Sequence, residues 1–360
     1  MKKLISLLAT ISLTVTTVNS VVACNNKEDK EENNDFGMTI NGFKGEIHRI
    51  ISDKKNKLYV GTKIINDDYD LKGKLYSVDL ENNNKVTEIT GIEGSVYNLS
   101  IWNDKLYVGT KKLDRQGTLY SVDLKDDNKV TEITGIEGEI HNLFIWNDKL
   151  YVGTKTGHDE GKLYSVDLKD NNKVTEITGI EGEVDALIVL NNKLYVGAVA
   201  KYISNEGNFY SVDLENNNKV TEINNIVLKG TIFSFAIYNK LLYIGTTEKN
   251  DGSGSLYSVD LENNNKVTEI TGIKGEVYRL ITQKNKLYVG TRTGDYENYQ
   301  GKLYSVDLEN NNKVTEIDNI SNFNVYGLAA IDDYIYIGMS SLDSNILGAH
   351  KVLLGRKMFK

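Results

Sequence analysis

Proline is absent from this chain of 360 residues, which holds only one cysteine, four histidines and five arginines. A single cysteine rules out an intramolecular disulfide framework, so the fold must hold by packing and hydrogen bonds. The five arginines, Arg49, Arg115, Arg279, Arg292 and Arg356, are scattered, and 42 basic against 50 acidic residues give a net charge of −8. Nucleic acid is therefore not an expected partner, because phosphate recognition needs a clustered basic surface. The missing proline, the preference for Lys over Arg and the abundance of Asn together read as the mutational bias of an AT-rich genome. What is present is 40% apolar and 26% charged residues, the balance of a folded chain rather than a disordered one.

Residues 1–24 start with Lys2 and Lys3, continue through a Leu/Ile/Val/Thr stretch and end in Val21-Val22-Ala23-Cys24. A cationic start, a short apolar run and a small residue before the break mark a secretory leader rather than a membrane span. The run into the only cysteine resembles the lipobox of bacterial lipoproteins, and its loose Val-Val-Ala form resembles leaders from the mollicutes. That resemblance implies cleavage after residue 23, a diacylglyceryl thioether on Cys24, and a body held on the extracellular face of the cell membrane. Two acyl chains at roughly 0.8 kcal/mol per buried methylene anchor firmly, so nothing else need touch lipid. Losing the leader removes Lys2 and Lys3 and moves the charge from −8 to −10, which gives the body no attraction to an anionic bilayer. Residues 25–35 hold five acids, two lysines and no apolar residue, the composition of a solvated tether with an average reach of roughly 18 Å.

Self-comparison shows the string LYVGT, or a close variant, starting at Leu58, Leu106, Leu150, Leu194, Leu242, Leu287 and Ile335, 44 to 48 residues apart. A second string, LYSVDL, starts at Leu75, Leu119, Leu163, Phe209, Leu256 and Leu303, each followed by a polar turn and a Lys-Val strand. Every unit reads as four short strands, for example near 96–101, 105–110, 118–124 and 129–133, rich in Val, Ile, Tyr and Thr and bounded by Gly, Asn or Asp. No helical period appears after the leader. The second and third strands are apolar on both faces, which requires cover on both sides of the sheet, and the fourth is polar enough for an edge.

Units of this kind fit radial stacking, in which neighbouring blades bury one another. The expected fold is all-β, a seven-bladed β-propeller of four-stranded antiparallel blades over residues 36–360. Met38–Gly45 aligns with Thr87–Gly94, so residues 36–41 are expected to complete the last blade and close the ring. The units resemble YVTN-type and quinoprotein-like propeller repeats, a resemblance that speaks for fold and not for function. The Trp-Asp and Gly-His pairs of WD40 repeats are missing.

Asp79, Asp123, Asp167, Asp213, Asp260 and Asp307 recur before a turn, where a short carboxylate accepts turn amides, so they read as structural rather than catalytic or calcium-binding. The glycines of LYVGT read as packing or bulge positions. Gly161-Lys162 and Gly301-Lys302 are followed by Leu, so there is no phosphate loop. The histidines at 48, 141, 158 and 350 lack metal spacing, and the acidic loop 66–70 lacks the glycine and distal Glu of a calcium loop. Neither cofactor nor metal is expected, and no catalytic residue is assigned.

What differs between units carries the functional reading. Thirteen of the 22 tyrosines belong to the framework strings. Of the other nine, Tyr97, Tyr278 and Tyr326 fall where a first strand begins, and Tyr69, Tyr202, Tyr296 and Tyr299 fall on second-to-third-strand loops of the same face. The strand starts also place His48, Arg49, His141, Asp185, Phe233 and Arg279 around the mouth of a central channel. Variable aromatic side chains on a rigid ring suit recognition of an extracellular protein or carbohydrate. Tyr97, Tyr278, Tyr326, Phe233, His48, His141, Arg49, Arg279, Asp185, Tyr296 and Tyr299 are the candidate ligand-binding residues of a monomer. The alternatives are a glycan hydrolase or lyase using His48, His141, Asp185 and Arg279, and a solute receptor with an enclosed cavity. Trp102 and Trp146, both in IWND, are a second candidate surface on the opposite face, either as a sugar-stacking shelf or as packing over the blade edges.

Overall fold

The computed structural model describes residues 19–23, 38–65, 71–201, 206–248, 252–293, 300–317, 324–340 and 351–354. Cys24, the tether 25–35, Tyr69, Tyr202, Tyr296 and Tyr299 lie outside them. No helix among the described residues is long and apolar enough to cross a membrane.

Six antiparallel blades follow one another, built from consecutive strands over residues 46–89, 95–133, 139–177, 183–222, 231–270 and 276–317. In the second blade the order is Ser95–Trp102, Lys105–Lys111, Leu119–Asp123 and Lys129–Ile133 from the centre outward. The second strand is buried on both faces over its middle five residues. In the outermost strand only the terminal Ile133 is buried, which leaves Lys129, Thr131 and Glu132 to blunt the edge.

The apolar core lies between blades rather than within them. Tyr59, Leu75 and Ile89 of the first blade cluster with Val96, Leu99 and Leu106 of the second, and the second joins the third in the same way. Each blade therefore depends on its neighbours, the nearest-neighbour stabilisation expected of repeats. The third-strand tyrosines fasten the incoming connectors. Tyr164 Oη accepts the amide of Glu137 at 3.3 Å, and Tyr210, Tyr257 and Tyr304 accept those of Glu181, Lys229 and Lys274.

The ring closes through a seventh, composite sheet. Asn324–Ile331, Tyr334–Ser340 and Lys351–Leu354 are joined there by Met38–Phe43. Gly42 packs on Val86 of the first blade as Gly91 packs on Val130 of the second, and Tyr76 Oη accepts the Lys44 amide. The segment before the first blade thus enters it as every other outer strand enters the next. Ala329, Ile331 and Tyr336 share a core cluster with Ile47, Ile50 and Leu58, and Ser52 Oγ donates to Ala330 O across the closure.

The expectation of seven four-stranded blades is corrected in its count: six sheets keep the four-strand order, the first with a short extra strand, Leu71–Lys72, on its second, and the closing sheet has five strands. Its additional strand is Asn19–Ala23, antiparallel to Met38–Phe43 and parallel to Lys351–Leu354, while a single pair, Thr39 with Leu353, joins those two directly. Asn19–Ala23 lies between the two, pairing along its length with Met38–Phe43 on one side and with Lys351–Leu354 on the other.

The turns explain the asparagines physically. Asn83 and Asn84 stand at φ of 51° and 55°, and Asn171 and Asn172 repeat this at 47° and 58°. Asn tolerates this left-handed region where most side chains do not. Asp79 Oδ1 accepts the amides of Glu81 and Asn82 at 3.2 and 3.1 Å, and Asp123, Asp167 and Asp260 do the same in their own turns. The structural reading of these aspartates holds.

Candidate functional site: a collar around the channel

Seven first strands line the channel, and each carries a register shift two residues after its start. The shifts fall between Ile47 and Arg49, Val96 and Asn98, Ile140 and Asn142, Val184 and Ala186, Ile232 and Ser234, Val277 and Arg279, and Val325 and Gly327. The extra residues are His48, Tyr97, His141, Asp185, Phe233, Tyr278 and Tyr326. A bulge bends the strand and re-aims the side chains around it. Its sequence cause is the LYVGT glycine, which pairs with the residue after the bulge, as Gly61 does with Arg49. A Cβ on Gly61 would fall 2.3 Å from Val96 of the next blade, and one on Gly338 would fall 2.7 Å from Ile47. Glycine lets the following blade approach, and this close approach runs right round the ring.

Nine of the eleven candidate binding residues meet in this collar; the remaining two, Tyr296 and Tyr299, lie outside the described residues. The bulged side chains touch in series. Phe233 lies 4.9 Å from Tyr278, Tyr278 meets Tyr326 edge-on at 5.6 Å, and Tyr326 stacks on His48 at 4.8 Å and 8°. His48 then lies 4.6 Å from Tyr97 and Tyr97 lies 6.4 Å from His141. His141 Nδ1 makes a 2.6 Å hydrogen bond with Asp185 Oδ1. At this level the channel is filled by its own rings.

The residue after the bulge ties blades together. Asn98 Nδ2 donates to His141 O at 2.7 Å, Asn142 Nδ2 to Asp185 O at 2.8 Å, and Arg279 Nε to Tyr326 O at 2.7 Å. Arg279 also donates to Tyr278 O at 3.1 Å.

A third set of residues went unread in the sequence. Glu46, Glu139, Glu183 and Glu276 open their first strands two positions before the bulge, and basic residues from second strands meet them. Lys111 pairs with Glu139 at 2.6 Å, Lys155 pairs with Glu183, and Arg292 pairs with Glu276. Lys111 Nζ also lies 5.3 Å from the Tyr97 ring centre, and Arg292 lies 4.9 Å from that of Tyr278. The available signal was the Gly-Glu-Ile/Val at four of the seven strand starts, set against the Lys or Arg that follows several of the LYVGT strings.

These neighbours set opposite charge states for the two collar histidines. Burial disfavours the His141 cation, yet hydrogen bonds to Asp185 and, at 3.2 Å, to Glu139 outweigh it and push the imidazole up to about 9. At His48 burial wins over the Glu46 hydrogen bond, so its pKa falls below the usual histidine value. Burial disfavours the Arg49 cation, with the like charge of Arg279 adding to it, and lowers the pKa of Arg279 as well. His141, Glu183 and Asp185 bring one ligand-type atom each within 4.8 Å of one another. A metal would need a neutral imidazole, whereas Asp185 and Glu139 favour its protonated form, and Lys155 already meets the Glu183 carboxylate.

On the opposite face the two tryptophans do not share a shelf. Trp102 Nε1 donates to Asp148 Oδ1 of the next blade at 3.1 Å, and its ring packs against the core between the second and third blades. Trp146, 36% exposed, lines a groove of about 160 Å³ with Asn147, Lys149, Asn192 and Glu215.

Comparison with protein-family models and with curated proteins returned no match. Among solved structures, the WD40 β-propeller domain of Doa1 is similar with a TM-score of 0.63 at 14% identity, covering 94% of this chain and 97% of its own. A chain of the mitotic checkpoint complex gives 0.61 at 12% identity over 94% and 97%. The computationally designed Ika8 protein gives 0.54 at 14% over 87% and 97%. At such identities the likeness is one of architecture. An all-β β-propeller of four-stranded antiparallel blades is what this chain shares with them.

Proposed function

We propose that this chain is a lipid-anchored extracellular binding protein that recognises a protein or a glycan through the collar face of its propeller. The leader and Cys24 support the anchor, and the acidic tether would hold the body clear of the membrane. One observation carries the binding reading. A framework that repeats nearly letter for letter places seven bulged residues at one structural position, and there the chain uses His, Tyr, Asp and Phe in turn. Function on repeat scaffolds sits where the units diverge while the frame stays rigid.

Contact suits this geometry better than catalysis. A general base needs a free nitrogen within about 3 Å of a substrate proton. Both nitrogens of His141 are engaged by Asp185 and Glu139, and His48 lies between the rings of Tyr97 and Tyr326.

The test uses the full chain in detergent, probed against a glycan array and against intact-cell material. Changing Tyr97, Tyr278 and Tyr326 together to Phe keeps the packing and removes three hydroxyls. Binding should fall at least about tenfold, the scale of one to two lost hydrogen bonds. Unchanged binding in that variant and in the triple Ala variant would end the assignment. For the anchor, Cys24→Ser should move the protein from the detergent phase to the aqueous phase on partitioning.

A further inference from the structure

Charge around the collar does not balance. Glu139, Glu183 and Glu276 are met by Lys111, Lys155 and Arg292, and Asp185 is met by the His141 cation. Glu46 faces Lys63 across the sheet register and lies 3.8 Å from His48. Among the described residues no ion pair reaches the collar's two other guanidiniums, Arg49 and Arg279.

Neither is used up by the fold. Arg279 spends two of its five N–H groups on backbone carbonyls and makes no ion pair among the described residues, feeling the Asp185 carboxylate only at a distance. Arg49 makes no hydrogen bond or ion pair among them, and its Nε is buried without an acceptor. The blade-to-blade bond that Asn98, Asn142 and Arg279 make from this same position is missing at Arg49. Between the two arginines the closing sheet places Gly327 at that position, so no side chain separates them there. A buried cation without a counter-charge costs several kcal/mol, and a second one nearby adds repulsion. An oxoanion answers both, since guanidinium N–H groups bind carboxylate, sulfate and phosphate with charge-assisted hydrogen bonds. Both residues are half-buried rather than sealed, and the rings of His48 and Tyr326 stand beside them.

We infer that Arg49 and Arg279 form the seat for an oxoanion group carried by the ligand of this collar. The inference rests on the binding reading above and narrows it to ligands that bear a carboxylate, sulfate or phosphate.

The experiment titrates the full chain in detergent with sodium sulfate, sodium phosphate and sodium glucuronate, against glucose and against sodium chloride at matched ionic strength. Calorimetry and the thermal midpoint are the readouts. The oxoanions should bind and raise the midpoint, while glucose and chloride should not. A preference for glucuronate over sulfate and phosphate assigns the seat to a sugar carboxylate, and the reverse order to an inorganic or esterified anion. Arg49→Gln should weaken oxoanion binding at least tenfold and leave the anion-free midpoint unchanged or higher, because it deletes an uncompensated charge. Arg49→Lys should keep part of the binding. Equal affinity for oxoanion in wild type and Arg49→Gln, or equal response to sulfate and chloride, would overturn the seat. So would an Arg49→Gln midpoint that drops while affinity holds, since that is the behaviour of a packing residue. If Arg49→Gln still captures cell-surface material that the tyrosine variants lose, the seat fails and the binding reading stands.

Discussion

The third and fourth blades and the arc running from the sixth blade through the closing sheet to the second present the same strand position to the channel, yet build opposite environments. In the first region His141 is clamped between Asp185 and Glu139, with Lys111 and Lys155 completing an ionic cluster. In the second, His48 lies among Tyr326 and Tyr97, with Tyr278 edge-on beyond and two arginines close by. The bulge fixes where a side chain goes, and the neighbouring blades decide whether it carries a charge. The ionic region satisfies itself, and the aromatic region leaves cations over. On the proposed binding reading, recognition falls to the aromatic arc and cohesion to the ionic one.

Breaking the clamp is the harshest test of that division. Asp185→Ala leaves His141 buried with Glu139 as its only hydrogen-bonded carboxylate, and Glu139 is already shared with Lys111. Removing one partner of a buried pair costs about 3–5 kcal/mol. Urea unfolding at pH 7 should show a loss in that range, while ligand capture by the surviving folded protein falls much less. A loss under about 1 kcal/mol, typical of an exposed pair, would dissolve the distinction between the two regions.

The same comparison predicts two pH limbs of opposite sign. His141 is held up to about 9, above its unfolded value, so folding favours its protonated form. Its contribution is complete below about pH 6.5 and disappears as pH rises through 9, an amplitude of up to about 3 kcal/mol. His48 has a folded pKa below its unfolded value, so folding favours its neutral form. That contribution is complete above about pH 6.5 and is lost as pH falls through the folded value. Urea midpoints from pH 5 to 10 should show both limbs, and His141→Gln should flatten the alkaline one alone.

Much of the frame was legible in the sequence because it repeats. The LYVGT glycines, the turn aspartates and the alignment of Met38–Gly45 with Thr87–Gly94 each imposed a local requirement that the structure meets. The collar positions could be read as strand starts, but not as bulges, since a register shift depends on the pairing of two strands and not on one strand's letters. The two characters of the collar stayed hidden for a related reason. The bond between His141 and Asp185 joins residues 44 apart, and only the order of blades around the ring brings them within reach. The opening glutamates went unread, and their role appears only once the basic residues of the second strands arrive beside them. The strand Asn19–Ala23 was unreadable as part of the closing sheet because the expectation of a leader over residues 1–24 set it apart from the fold.

The mildest change sharpens the comparison most finely. Phe in place of His48 keeps a flat ring between Tyr97 and Tyr326, adds little volume and removes a group that is already neutral in the fold. A swap of that kind at a packed site costs under about 1.5 kcal/mol, and aromatic neighbours 4.6 and 4.8 Å away favour the new ring. Stability at pH 7 should stay within about 1 kcal/mol of wild type, and the acid limb should vanish. The same replacement at His141 strands Asp185 without its cation and should cost several times more. If the two substitutions proved equally mild, the ionic region would be as adaptable as the aromatic one. The charge left on Arg49 and Arg279 would then lose the rigid contrast that makes it informative.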